Sequence, residues 1–569
     1  MTREKRQFRT LVRLFAYRFF DNEIISLRGD VSALLGQFAA LLLALSFVLV
    51  LMIVPKYTNA AARLTPAQIR AAGWMDEEFL ISISMTVIAV FTLLLWDALF
   101  PDRRDCLILG AMPVRVRTLF RAKIAALTGA LLLAAGAVNC FTGFAHPFLI
   151  LPGHAGFVAA VRHLAAWWLV MLASAVFVFL LLLDIQGMAI HLLPHALFLR
   201  WSSIIQCLAF FGALTLCFLM PPLATPQALA DPRNAMWYAV LPPYWFLGLF
   251  QTLVGASNPA LHALAVRAVT GVTVAAALAI IVYALAYSRQ MRRTVEQSGI
   301  VSRDYSRAGG GLRVLGRGQL QRGLLAFIGQ TLARSRQHRL LLSIYVGIGL
   351  AWIFSQIAHT LYEAPGLDAA FERQRVPLAV PLVILFFVIT GLRVSFSIPV
   401  DLRANWLFRL ADPFGAGAYL AATRKTLLAL GVAPVVAISF AACCAAGTWE
   451  RALRHCAFLT VFGVFVAEMA VTGFAKVPFT CAWMPGRSNL KLMFGIYAGL
   501  IMFLSEAVSA LETLALGSQR GYFVLMGVSI AAWAVAARRG RRIRTALGGL
   551  HFEEQPVPVI HALELLPRD

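Results

Sequence analysis

From residue 31 to residue 537 the chain returns again and again to apolar runs. Many of them reach the roughly 20 residues that a helix needs to cross a bilayer. Backbone N–H and C=O groups have no water to bond in lipid, so such runs must be helices. The alternation of a membrane β-strand is absent. With 60% hydrophobic and only 14% charged residues, the 569-residue chain is read as an all-α, polytopic membrane protein. About 12 transmembrane helices are expected, in two six-helix halves. The spans predicted for the first half are 31–54, 79–99, 124–144, 164–183, 203–220 and 263–287. Those of the second are 340–359, 378–397, 426–446, 456–474, 492–516 and 522–537.

The remaining segments follow from these spans. Residues 1–30 interleave Arg3, Lys5, Arg6, Arg9, Arg13 and Arg18 with Phe8, Leu11, Leu14, Phe15, Phe19 and Phe20, as an interfacial amphipathic helix would. Residues 31–287 form the first half, 288–339 a basic cytoplasmic linker, 340–537 the second half and 538–569 a cytoplasmic tail. The linker centres on Gly309, Gly310 and Gly311, and its 324–339 flank has an amphipathic, helical pattern. The net charge is +23, and most of the 50 lysines and arginines fall on the segments assigned to one side. By the positive-inside rule both termini are cytoplasmic. The basic excess is read as topology and contact with anionic membrane lipids, not as nucleic-acid binding, since no recognition motif accompanies it. The outer loop 55–78 holds Asp76, Glu77 and Glu78.

One polar segment stands out between two apolar runs. Phe100–Lys123 opens with Pro101 and a tight charge cluster, Asp102, Arg103, Arg104 and Asp105. A short apolar patch and Pro113 follow, then Arg115, Arg117, Arg121 and Lys123. A loop that only joined two spans would not need so much apolar and charged surface together. Ile398–Lys425 repeats the order: Pro399, then Asp401 and Arg403, an apolar patch with Trp406 beside Arg409, Pro413, and finally Arg424 and Lys425. Two such elements at matching places argue for an internal repeat. Both are read as docking elements for a soluble partner.

Chemistry of other kinds finds little support. No phosphate-loop motif is present, so any ATP is bound by another polypeptide. None of the 8 cysteines forms a C-x-x-C pair, and His191 and His195 are separated by Pro194. No metal, catalytic group or bound cofactor is expected. Intramembrane carboxylates are functional candidates by default, here Glu468 and Glu506, with Glu512 a lesser one. The proline-rich stretch 221–261 carries an apolar patch, 246–254, too short to span, and is read as re-entrant or interfacial.

Taken in order, these features resemble the permease subunits of bacterial export-type ATP-binding-cassette (ABC) transporters. LFPDRRDCLILGAMPVRVRTLFRAK, residues 99–123, is the most specific part of the likeness, and 221–261 resembles the family's re-entrant region. The resemblance implies two permease halves fused in one chain, and an ABC-type ATPase subunit, in two copies, docking on the two elements. It implies a transporter rather than an enzyme and no particular substrate. The second half departs from the pattern: 517–521 is too short for a re-entrant hairpin, and the second element lacks the double arginine. An ion-coupled secondary transporter of six plus six helices is the alternative.

Overall fold

The computed structural model describes residues 3–20, 31–60, 66–100, 114–150, 156–218, 223–296, 310–363, 375–400, 408, 416–446, 449–472, 474, 476–480, 503–505 and 507–546. Among these residues every regular element is helical. The chain forms two compact units. The first comprises Met1–Ser302 and Leu350–Pro365, and the second Arg303–Gly349 and Gly366–Asp569.

The first unit opens with α1 (Arg3–Phe20), followed by α2 (Val31–Ala60), α3 (Pro66–Leu94) and its one-turn continuation α4 (Trp96–Leu99). Then come α5 (Val116–Val138), α6 (Cys140–Ile150), α7 (Phe157–Leu192) and α8 (His195–Phe218). The short helices α9 (Pro226–Ala230), α10 (Ala235–Val240) and α11 (Pro242–Val254) precede the long α12 (Pro259–Glu296). The second unit contains α13 (Gln319–Arg334), the start of α14 (Arg336–Glu363), α15 (Arg375–Ser395), α16 (Ala416–Thr426) and α17 (Ala433–Ala446). Wider π-helical turns, Leu427–Val432, join the last two. Next are α18 (Trp449–Val471), a helical stretch around 507–516, and α19 (Gln519–Ala546).

Nine helices among the described residues are long and apolar enough to cross a membrane. They fall on nine of the expected spans. The fifth appears as α8, whose apolar core Ile204–Thr215 is shorter than a full crossing. The seventh lies in α14, and the eleventh begins outside the described residues.

Both units start with an amphipathic helix, and periodicity explains why. In α1, Leu11, Phe15 and Phe19 recur every four residues and are buried, while Lys5, Arg6, Arg9 and Arg13 are exposed. In α13, Leu324, Leu325, Ile328 and Leu332 are buried in the core of the second unit, alongside Leu382, Phe396, Tyr419 and Phe479. The C-terminal part of the expected linker therefore belongs to a packed core. At its N-terminal part, α12 continues as helix to Glu296.

Length sets what the longest helices can do. The 36 residues of α7 extend about 54 Å at 1.5 Å per residue, more than a bilayer with its headgroups. The 38 residues of α12 run slightly further. By contrast the 13 residues of α11 cover about 20 Å, too little to cross. Pro242 and Pro243 start that helix, where their missing N–H groups cost nothing, and Gly255 ends it in the left-handed conformation (φ 114°). Between α7 and α8 the chain breaks at Leu193 and Pro194, so His191 and His195 lie on different helices.

Candidate functional site

The first expected docking element begins where α3 gives way to α4. The helix turns at Leu95 and ends at Leu99, which frees the carbonyls that no later N–H can reach. Four buried side chains from four other helices take them up. Gln206 Nε2 of α8 donates to Leu93 O at 2.7 Å, and Gln186 Nε2 of α7 to Trp96 O at 2.7 Å. Tyr283 Oη of α12 donates to Leu99 O at 3.0 Å, and Lys123 Nζ of α5 to Phe100 O at 2.7 Å. Trp96 adds a bond of its own, Nε1 to Ser202 Oγ at 2.9 Å. The far stem is tied in by the same lysine, which lies 5.6 Å from the centre of the Phe15 ring of α1. Phe100 and Phe120, one on each stem, both pack against Tyr283, with ring centres 5.1 and 5.5 Å away.

Of the expected docking residues, Asp102, Arg103, Arg104 and Asp105 lie outside the described residues. Arg115 and Arg117 are exposed at the start of α5, and Arg115 Nη1 sits 3.0 Å from Glu4 Oε1 of α1. That pair is open to solvent and contributes little to stability.

The second element has a differently built stem. Phe479 N donates to Phe396 O at 2.9 Å, and Val400 N donates to Phe479 O at 3.0 Å. Beside them His338 Nε2 lies 3.0 Å from Ile398 O and its Nδ1 2.6 Å from Ser335 Oγ. The ring is fully buried and stands edge-on to Phe479. Burial holds its pKa below the usual 6.5, so the neutral ring donates from Nε2 to the carbonyl and accepts the serine hydroxyl at Nδ1. The downstream stem turns to α13 instead of back to its own loop. Lys425 Nζ donates to Leu315 O at 2.7 Å and to Gln321 Oε1 at 2.8 Å. Phe408, the described residue of the loop itself, packs on Phe327 of α13 at 5.3 Å between ring centres. Asp401, Arg403, Trp406 and Arg409 lie outside the described residues.

Compared with known protein families, curated proteins and solved structures, the chain matches none.

The intramembrane candidates divide. Glu468 is buried near the end of α18 that meets the second element, and its Oε2 lies 3.2 Å from Arg424 Nε. It belongs to the stem, within ion-pairing distance of one of the basic residues that close the element. Glu506 lies outside the described residues. Glu512 is buried with His455 and Ser439: His455 Nδ1 is 2.7 Å from Glu512 Oε1, and Nε2 is 3.1 Å from Ser439 Oγ.

At the opposite end of the first unit, Asp76, Glu77 and Glu78 differ from expectation. The segment 55–78 read as loop ends α2 at 55–60 and begins α3 at 66–78, with 61–65 outside the described residues, and all three side chains are buried. Partners explain two of them. Lys56 Nζ and Tyr57 Oη donate to Asp76 at 2.7 and 3.0 Å, and Gln251 Nε2 of α11 donates to Glu77. The short α11 is thereby bonded to α3, and Arg162 Nε of α7 donates to its Leu253 O at 2.7 Å. Among the described residues no group of three or more metal-ligating side chains comes together.

Sequence reasoning missed Gln186, Gln206, Tyr283 and His338. Their signal was faint: single polar residues within or beside apolar runs.

Proposed function

We propose that this multi-pass membrane protein is the permease subunit of an ATP-driven, ABC-type exporter. Separate ATPase subunits dock at Phe100–Lys123 and Ile398–Lys425 on the cytoplasmic side of an inner membrane, where both termini also lie. The observation that carries this reading is the construction of the first stem. Four buried side chains from α5, α7, α8 and α12 hold the carbonyls of the short stretch Leu93–Phe100, at the start of the first element. A connecting loop has no use for that; an element that must pass an external push into several spans does. The amphipathic helices α1 and α13, each packed at the base of an element, support the same role.

Co-purification from mild detergent tests it. The parent chain is expected to bring down a soluble subunit that carries a phosphate loop and hydrolyses ATP. Charge reversal at Arg103 and Arg104 (Arg103→Glu with Arg104→Glu) is expected to lose that subunit while the chain remains inserted. Recovery of the parent chain alone, under conditions that keep other such complexes together, would overturn the proposal.

One observation favours an ion-coupled carrier instead, the buried Ser439–His455–Glu512 group, because intramembrane ionisable residues mark coupling sites. Substrate movement by the chain without any ATPase would decide for that alternative.

A further inference from the structure

Ser439, His455 and Glu512 form a separate buried group within the second unit. Ser439 is on α17, His455 on α18 and Glu512 on the helical stretch that precedes α19. Counting residues along each helix places them roughly 6 to 10 Å inside the ends at 446, 449 and 516. Those ends are opposite to the end of the unit where α15 stops at Ser395 and α16 starts at Ala416. His455 and Glu512 have no solvent exposure and Ser439 has 5%.

The arrangement has the order hydroxyl, imidazole, carboxylate that serves acyl transfer. Two features set that chemistry aside. Ser439 sits in the middle of a helix, where neighbouring N–H groups are committed to the helix and none is free to stabilise an oxyanion. It also lacks the exposure that a bond-breaking nucleophile needs.

Charge balance gives a different use. An ionised Glu512 beside a neutral His455 would leave a net negative charge in a water-free site, and a protonated His455 beside a neutral Glu512 a net positive one. Neutrality needs one proton shared between them, on either the Glu512 oxygen or His455 Nδ1. The 2.7 Å contact suits either placement. Ser439 accepts from Nε2–H in both placements, because a ring that takes the Glu512 hydrogen bond at Nδ1 keeps its own hydrogen on Nε2, and that bond strengthens when the ring is charged. Glu512 Oε2 is buried without a hydrogen-bond partner among the described residues, so the carboxyl has room to accept another bond.

The surrounding groups leave that balance intact. Cys443 and Cys456 lie within hydrogen-bonding reach of Ser439, and Cys444 is beside Cys443. Arg454 is partly exposed and turned to Glu450 at 2.6 Å. Tyr522 of α19 donates from its hydroxyl to Arg454 O at 3.1 Å. Among the described residues no second carboxylate is paired with His455.

We propose that Ser439, His455 and Glu512 form a proton-binding site in the membrane-embedded part of the second unit, holding one exchangeable proton between imidazole and carboxylate. The proton exchanges with the side reached through the helix ends at 446, 449 and 516. The site stands whether ATP or an ion gradient drives the protein.

Infrared difference spectra of the purified full-length chain in detergent, titrated over pH in H2O and in D2O, test the assignment. A carboxylic-acid carbonyl band that titrates and shifts in D2O is expected. Glu512→Gln should remove it, and Glu468→Gln should leave it. His455→Gln should move its midpoint by about one pH unit or more, tenfold in proton affinity. Ser439→Ala keeps both proton-holding groups and should move the midpoint in the same assay, so it decides the matter even if Glu512→Gln does not fold. A band that survives Glu512→Gln, or a midpoint indifferent to both His455→Gln and Ser439→Ala, would overturn the proposal.

Discussion

His338 shows how much one ring can settle about a loop. Its folded pKa lies below the unfolded 6.5, with burial the first cause. A base whose pKa is depressed by folding adds stability in full above the unfolded value, and loses it as pH falls through the folded one. Acidification from neutral should therefore lower the thermal midpoint of the parent chain in detergent. His338→Gln should flatten part of that dependence, by at most about 1.4 kcal/mol per pH unit. An identical pH profile in the two proteins would show that the ring is not buried against Ile398 O. Lys123 and Lys425 teach the complementary lesson. They close matching elements, yet one bonds to Phe100 O at the start of its own element and the other to Leu315 O and to Gln321 of α13. The sequence shows where such a lysine stands in the repeat but not which carbonyl it reaches, because the partner is set by packing between distant segments.

At the scale of elements, α11 is held by fit as much as by hydrogen bonds. A Cβ at Gly248 would come within 2.8 Å of Leu261 O on α12, a backbone atom that cannot turn aside. Gly248→Ala should push α11 off α12 and cost about 1–3 kcal/mol, read as a lower thermal midpoint with insertion unchanged. An unchanged midpoint would mean that the two helices are less closely packed. That the apolar patch 246–254 is too short to span was legible in the sequence; that it is a helix begun at Pro242 and Pro243 was not. The amphipathic faces of α1 and α13 were equally legible from apolar residues at four-residue spacing. The burial of Glu77 was not, because its partner Gln251 is far along the chain and nothing local announces it. The same holds for Gln186 and Gln206. A glutamine in an apolar run declares a buried polar need, but not the carbonyl that meets it.

For the whole molecule, nine long apolar helices establish a multi-pass membrane protein among the described residues, and the charge pattern adds a direction that can be tested. Val314 and Phe157 are exposed, at 86% and 83%, on segments that the topology assigns to opposite sides. In a cysteine-free chain, Val314→Cys should react with a membrane-impermeant maleimide only in inside-out vesicles, and Phe157→Cys only from the outside of intact cells. The reverse pattern would place the docking elements on the wrong side for an ATPase. Spans were readable because length and hydropathy are local properties. The roughly 20 residues that a crossing needs also explain why α8 falls short, with its apolar stretch confined to Ile204–Thr215.

Cross-bracing has a mechanical consequence. With Gln206, Gln186, Tyr283 and Lys123 all gripping one short length of main chain, a shove on the first loop reaches four columns together instead of bending one. The first half would then answer as a block. In the second half the load would pass through a histidine wedge and a surface strut. If ATPase subunits dock as proposed, two of them working in step would therefore obtain unlike strokes from the two halves.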